Sequence, residues 1–417
     1  MSGSKKSILV TTSWYPTKAN PIAGSFFKEQ CELLSRTYDV TVLLLNPATK
    51  LGSKYLLKRI TGKDIFFESL GDSDSLHEYE CIVSRPLELA VMNNAYSRLT
   101  IKRKGLAGIG SVDTEADKKF WVKHIRRVTK LLNRKFDLVY GISAQGTAVY
   151  ASLFAKEFGV PYILSEHSPV MIPGTSLNDS FKAAVEGADM FLAISNDKIR
   201  QILMQNIKLK SIKYIGNMID DEKFNYEPLP HDQKTFLIVA AHSFYKNYDL
   251  FLKTMEDLRN IATEPFRVII AGYGANKGYS QGVDEFVKQV NDSAISDIVE
   301  MIPEVSRGEI SALYNRADAF VMTSIQEGQP VAALEAASCG LPIFSTRCGG
   351  VEDYVDDSVG RIVGILEHEK LAGYLNDFLD GKLVFNGAHI HDVITSKYGK
   401  KEYIRKLRMI IDEAIGA

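Results

Sequence analysis

Two carboxylates set in glycine- and proline-punctuated sequence carry the chain's clearest chemical signal. Glu327 and Glu335 stand eight positions apart in ADAFVMTSIQEGQPVAALEAASCGLPIFSTRCGG, the stretch from Ala317 to Gly350. Pro330 suits the first turn of a helix, where a missing N–H costs nothing, and Gly340 suits a left-handed stop. The spacing therefore predicts a helix of about Pro330 to Cys339, entered from a strand that ends near Ser324 through a short loop presenting Glu327 and Gly328. Helix N-termini at the carboxyl ends of strands favour phosphates, through free N–H groups and the helix dipole. An acid before such a helix can reach a sugar hydroxyl beyond the phosphates, and one in its second turn can accept hydrogen bonds from ribose. On spacing alone, Glu335 reads more simply as a capping or salt-bridge residue.

Further candidates follow the same logic. His167, in LSEHSP, directly follows the carboxyl end of an apolar run, where a titratable ring has reason to meet a ligand. Gly24, in the loop after the first apolar run, could let backbone approach an anion, although most such glycines only make turns. Without other information Lys246, in HSFYKNYDLFL, is an exposed loop lysine.

The elements that must position these residues are short apolar runs alternating with amphipathic segments, the pattern of parallel strands joined by crossover helices. The fold class is therefore α/β. Strands are expected at Ser7, Val40, Asp137, Pro161, Ala188 and Ile212, then in a second series at Thr235, Phe266, Asp297, Ala317 and Leu341. The polar stretch Asp220 to Lys234 reads as the linker between them. Expected domains are 1–228 and 229–395, both Rossmann-like, with a helix over 396–417 that packs on either one. The segment from about Ala48 to Lys135 does not resolve into βα units, apart from a helix after Asp117 with Trp121, Ile125, Val128 and Leu132 on one face and seven basic residues elsewhere. That helix is more often a sheet-packing element with a solvated face than a membrane-surface one.

At Ser324, Glu327, Glu335-Ala336, Gly340, Leu341-Pro342, Gly349-Gly350 and Glu352 the chain resembles the retaining glycosyltransferases of family 4. The resemblance runs across most of both domains and is weakest between about residues 48 and 135. It implies the GT-B fold: two doubly wound Rossmann-like domains facing across a deep cleft, with the acceptor on the first and a nucleoside diphosphate sugar on the second. It places His167 and Glu327 near the transferred sugar, Lys246 and the Gly24 backbone at the diphosphate, and backbone near the Ile302 to Val305 turn at the base. Gly328, Gln329, Pro330, Val331 and Glu335 complete the donor site. Many members carry an arginine about five residues before the lysine, where this chain has Ala241 with His242 beside it. Gln329 also replaces an apolar or aromatic residue common in the family.

The implied activity is metal-independent hexosyl transfer from a UDP- or GDP-sugar to a carbohydrate or lipid-linked hydroxyl, with no cofactor and no nucleic acid partner. A nucleotide-sugar epimerase of the same fold and a non-catalytic binding protein are the rivals. A metal-dependent reading could cite Asp72-Ser73-Asp74, in the irregular segment. A dehydrogenase reading could cite Gly272-Tyr273-Gly274, but the third fingerprint glycine is missing.

Composition narrows the setting. The 417 residues are 45% hydrophobic and 24% charged, as expected of a soluble globular chain. Cys31, Cys81, Cys339 and Cys348 form no CxxC pair, which fits a reducing compartment. The start MSGSKKSILVTTSWYP is too briefly apolar for a signal peptide or membrane span, so the expected location is cytoplasmic. Lys+Arg 50 against Asp+Glu 51 conceals an asymmetry: residues 1–228 hold 31 basic and 24 acidic groups, net +7, and the remainder is net -8. A basic first domain suits an anionic lipid-linked acceptor or contact with an anionic membrane face.

Overall fold

The computed structural model describes residues 5–18, 20, 23–48, 65–84, 115–168, 179–230, 232–275 and 282–416. They form two compact units. One comprises 1–193, 199–215 and 404–417, and the other 194–198 and 216–403.

The first unit holds an eight-stranded sheet in the order β3-β4-β2-β1-β5-β6-β7-β8. Its strands are β1 (Ser7–Thr12), β2 (Asp39–Ala48), β3 (Ile65–Asp72), β4 (Leu76–Ser84), β5 (Leu138–Ile142), β6 (Tyr162–Glu166), β7 (Met190–Ala193) and β8 (Ile212–Tyr214). All neighbours pair in parallel except the edge strand β3, which runs antiparallel to β4. This hairpin corrects the expectation of six strands. Asp72 ends β3 and Ser73 lies in the turn, where its N–H bonds to the Leu76 carbonyl. Asp72-Ser73-Asp74 is thus a hairpin connection. In the helix Glu115–Leu132, Ile125 and Val128 are buried in the sheet core while Lys123, Arg126, Arg127 and Lys130 are exposed. The side chain of Trp121 lies outside the described residues.

The second unit holds a six-stranded parallel sheet in the order β11-β10-β9-β12-β13-β14. These strands are β9 (Lys234–Val239), β10 (Phe266–Ala271), β11 (Val299–Ile302), β12 (Ala319–Met322), β13 (Ile343–Thr346) and β14 (Gly360–Val363). Buried on both faces, they read as continuous apolar runs, as parallel strands must. Both sheets are doubly wound, and the chain reverses direction across the sheet between β1 and β5 and between β9 and β12. Ligands of open α/β sheets bind outside the carboxyl ends of strands at such reversals.

The units divide at Ile215 and Gly216, so the polar stretch expected to link them belongs to the second. Phe224 is fully buried there, its carbonyl accepts from Ser338 Oγ at 2.6 Å, and Leu229 N–H donates to the Asn315 carbonyl. Polar composition misled because these residues satisfy their backbone against packed helices, not water. The helix Lys400–Ile415 divides too: Ile404–Ala417 group with the first unit, where Asp412 Oδ1 accepts from Tyr38 OH at 3.0 Å. Among the described residues no helix is long and apolar enough to cross a membrane.

Candidate active site

In the second unit, β9 and β12 flank the reversal, and the loops that follow them carry Lys246 and Glu327. Lys246 ends a short 3-10 turn, Phe244–Lys246, whose last carbonyl accepts from Thr323 Oγ1 at 3.2 Å. Ile325 N–H donates to the Tyr245 carbonyl, so the two loops are stitched together by backbone. Lys246 Nζ meets Glu327 Oε1 at 2.6 Å, and Ser324 Oγ donates to the same oxygen at 2.7 Å. Glu327 is 7% exposed, whereas the lysine side chain keeps 29% of its surface. The pair is therefore a buried carboxylate steered by two donors, with its cation reaching solvent.

The Glu327 loop is braced from behind. Its N–H donates to the Cys348 carbonyl at 2.6 Å, and the Gly349-Gly350 turn packs directly beneath it. Both glycines have positive φ, and a Cβ on Gly350 would lie 2.2 Å from the Gly328 carbonyl oxygen. Only glycine fits there. Glu352 Oε1 accepts from Gly349 N–H, closing the turn.

The helix after this loop is Val331–Ser338, with Pro330 in extended conformation as its cap residue and no side-chain cap. Pro330 thus precedes the first turn instead of occupying it, and β12 ends at Met322, two residues before the expected Ser324. Gly340, at φ 81, terminates the helix as expected. Val331 is half-buried at the start of the helix, and Gly328, Gln329 and Pro330 are buried. The Gln329 side chain accepts from Asn217 N–H and its carbonyl accepts from Asn217 Nδ2 at 2.8 Å, so this family-atypical residue anchors backbone within the second unit.

Glu335 is buried, with one oxygen paired to Arg307 and the other accepting from Tyr314 OH at 3.2 Å. Arg307 stacks its guanidinium over the Phe224 ring, 5.1 Å from the centroid. Burial first, and then the Glu335 charge, raise the Tyr314 hydroxyl far above its ordinary range, so it stays a donor. Arg307 was missed by sequence reasoning, since a residue 28 positions away becomes a neighbour only in the fold. The simple salt-bridge reading of Glu335 is met here, and a ribose hydroxyl must share its carboxylate.

Ile302 ends β11, and its carbonyl accepts from Gly272 N–H while that of Pro303 accepts from Gly274 N–H. Val305 is half-buried beyond this turn. A cavity of about 650 Å³ opens beside it, lined by Tyr273, Gly274, Val283, Pro303 and Glu304 among others. His242, next to the position of the missing arginine, stacks against Tyr248 at 5.7 Å and tilts over Phe286 at 5.0 Å. Burial lowers its pKa from the ordinary 6.5, against an opposing pull from Asp249. A ring held neutral does not replace the guanidinium's charge.

In the first unit, Gly24 caps the helix Ser25–Ser35 at φ 64, with its Cβ position 2.6 Å from the Trp14 carbonyl oxygen. The same loop is pinned by Tyr15 OH, which donates to buried Glu78 at 2.5 Å. His167 is half-buried one residue beyond β6. Its Nε2 lies 2.9 Å from Ser165 Oγ, and Phe27 meets its ring edge-on at 4.9 Å. The structure thus groups Gly24 with His167 through the Phe26-Phe27 pair, and groups Lys246 with Glu327 and the Val331 helix.

Residues 219–401 match the family model for glycosyl transferases group 1. The chain is 20% identical over 377 residues to a phosphatidylinositol N-acetylglucosaminyltransferase of Arabidopsis thaliana, across 86% of this chain and 82% of that protein. It is 28% identical over 185 residues to D-inositol 3-phosphate glycosyltransferase of Mycolicibacterium smegmatis, a match spanning only 41% of each chain. Sucrose-phosphate synthase from Thermosynechococcus elongatus shares the fold with TM-score 0.68 and 13% identity over 98% of this chain and 99% of that one. Anabaena HepE in complex with UDP-glucose does so with TM-score 0.64 and 14% identity over 98% and 99%. The architecture is the GT-B fold expected from the sequence, and the matches support a group 1 glycosyltransferase.

Proposed function

We propose that the chain is a retaining, family 4 type glycosyltransferase that moves a hexosyl group from a UDP- or GDP-sugar to a carbohydrate or lipid-linked hydroxyl. The observation that carries this reading is the Lys246–Glu327 pair, set at the reversal of the second sheet beside a helix N-terminus that no side chain caps. In this reading the diphosphate lies at Lys246 and the Val331 N-terminus, ribose hydroxyls at Glu335, the base at the Ile302 to Val305 turn and the sugar at Glu327. Donor binding exchanges the Lys246–Glu327 pairing for phosphate on the lysine and sugar hydroxyls on the carboxylate. The bond from anomeric carbon to phosphate oxygen breaks, the acceptor oxygen takes its place on the same face, and the acceptor proton passes to the departing phosphate. Lysine and helix N–H groups stabilise the developing charge, so no metal or cofactor is required. Gly24 and His167 are assigned to the same reaction on the sequence resemblance.

Melting curves with UDP, UDP-glucose, UDP-N-acetylglucosamine and GDP-mannose test the reading. At about 100 times Kd a true donor stabilises by about 2.7 kcal/mol, which raises Tm by roughly 5 to 10 °C for a unit of this size. The stabilising nucleotide sugar is expected to release its nucleoside diphosphate equally well in EDTA. No shift with any of them sinks the proposal, and a changed nucleotide sugar released without acceptor favours an epimerase.

The exposed Lys123, Arg126, Arg127 and Lys130 support a peripheral cytoplasmic-face contact with anionic membrane, which would bring a lipid-linked acceptor close. Sedimentation with phosphatidylserine vesicles is expected at low salt, lost at high salt and absent with phosphatidylcholine alone. Salt-independent binding, or none, counts against this contact.

A further inference from the structure

His167 is held by its neighbours in a way its own side chain does not explain. Glu166, the last residue of β6, is fully buried, and each of its oxygens accepts a backbone hydrogen bond from a different loop. Oε1 takes Ser168 N–H at 2.6 Å, immediately beyond His167. Oε2 takes Gln145 N–H at 2.7 Å, in the first turn of the helix Ala144–Phe158 that follows β5. On the other side of His167, Ser165 is itself fixed by Tyr140 OH at 3.1 Å and meets the imidazole Nε2. The backbone on both sides of the histidine is thus clamped, and its ring is docked on Ser165 and against Phe27.

The clamp needs a carboxylate. Two backbone N–H donors require two acceptor oxygens, and an amide offers one oxygen and an NH₂ that would confront the second donor. Burying the charge is costly, and the two charge-assisted bonds and the helix N-terminus offset that cost. The loop after β5 also departs from easy geometry. Ser143 has φ 62 and ψ 76, and a Cβ on Gly146 would lie 2.3 Å from Ser13 Oγ in the loop after β1. Three loops at the reversal of the first sheet therefore converge on the segment that Glu166 ties together.

We infer that Glu166 is a positioning residue for His167, its carboxylate fixing the backbone that aims the imidazole. The inference rests on the reading that His167 acts in sugar transfer. The test is a double-mutant cycle read as nucleoside diphosphate release from UDP-glucose or GDP-mannose, whichever the wild-type protein turns over. Glu166→Gln lowers kcat about tenfold or more, with KM for the donor and affinity for UDP within about twofold. In the His167→Ala background the same change alters kcat by less than about twofold, because the residue it positions is gone. Equal losses in the two backgrounds, or wild-type kcat in Glu166→Gln, overturn the inference. If Glu166→Gln does not fold, Glu166→Asp carries the same cycle, since it keeps both oxygens but withdraws them by one methylene. Failure of both variants to fold marks the residue as architectural and likewise overturns it. Wild-type release in His167→Ala alone sinks the reading beneath, whereas a large loss there with no coupling removes only the role of Glu166.

Discussion

Glu327→Gln is expected to lower sugar transfer by roughly a hundredfold to a thousandfold, the size of removing one preorganised transition-state partner, and Glu327→Ala to abolish it. The carboxylate is 7% exposed and accepts from both Lys246 and Ser324, so its position is set before any ligand arrives. An amide keeps the shape but cannot hold a cation, and it leaves the lysine without its counter-charge. Lys246 retains access to water, so the loss in stability should stay near about 1 to 2 kcal/mol, well below that of a stranded buried charge. Steady-state kinetics on the best donor, with melting curves alongside, separate the two effects. Near-wild-type transfer by Glu327→Ala would remove Glu327 from the chemistry.

Gly350→Ala should be the most damaging single methyl in the second unit. Its Cβ lands 2.2 Å from the Gly328 carbonyl oxygen, and its φ of 67 disfavours any L side chain. A conformational cost of roughly 1 to 2 kcal/mol and a backbone clash of similar size give about 3 kcal/mol. That corresponds to a fall in Tm of roughly 6 to 12 °C. The atom displaced belongs to the loop carrying Glu327, so transfer should fall further than stability alone predicts. Gly373→Ala is the internal control: nothing lies within 4 Å of its Cβ position in the helix His368–Leu379, so the same methyl should raise Tm slightly. Equal melting of the two variants would show that the turn does not brace the site.

Much of this was legible because buried parallel strands must be written as unbroken apolar runs, which is how β1, β2, β5 and the second series stood out. The β3–β4 hairpin was not. IFFESLGD and LHEYECIVS carry Glu68, Glu78 and Glu80 within an edge pair, and Glu78 points a charge into the interior, where it serves Tyr15 and Lys28. An alternating charged strand looks like surface until its partners are known. The Glu327 to Gly350 constellation was readable because its glycines and proline do local backbone work that few other residues can. Its electrostatic completion by Arg307 and Tyr314 was not, since those partners come from 28 and 21 positions away. Glu166 adjoins His167 in the sequence, yet nothing in that dipeptide announces a carboxylate with no solvent exposure and two backbone partners.

The division of the helix Lys400–Ile415 bears on the order in which the molecule can be built. Ile404–Ala417 belong with the first unit although they are translated after all of the second. During synthesis the first unit must therefore wait, with Tyr38 lacking Asp412 and Lys213 lacking Glu413, while the second unit's sheet emerges and folds. The last residues made are the ones that finish the first domain.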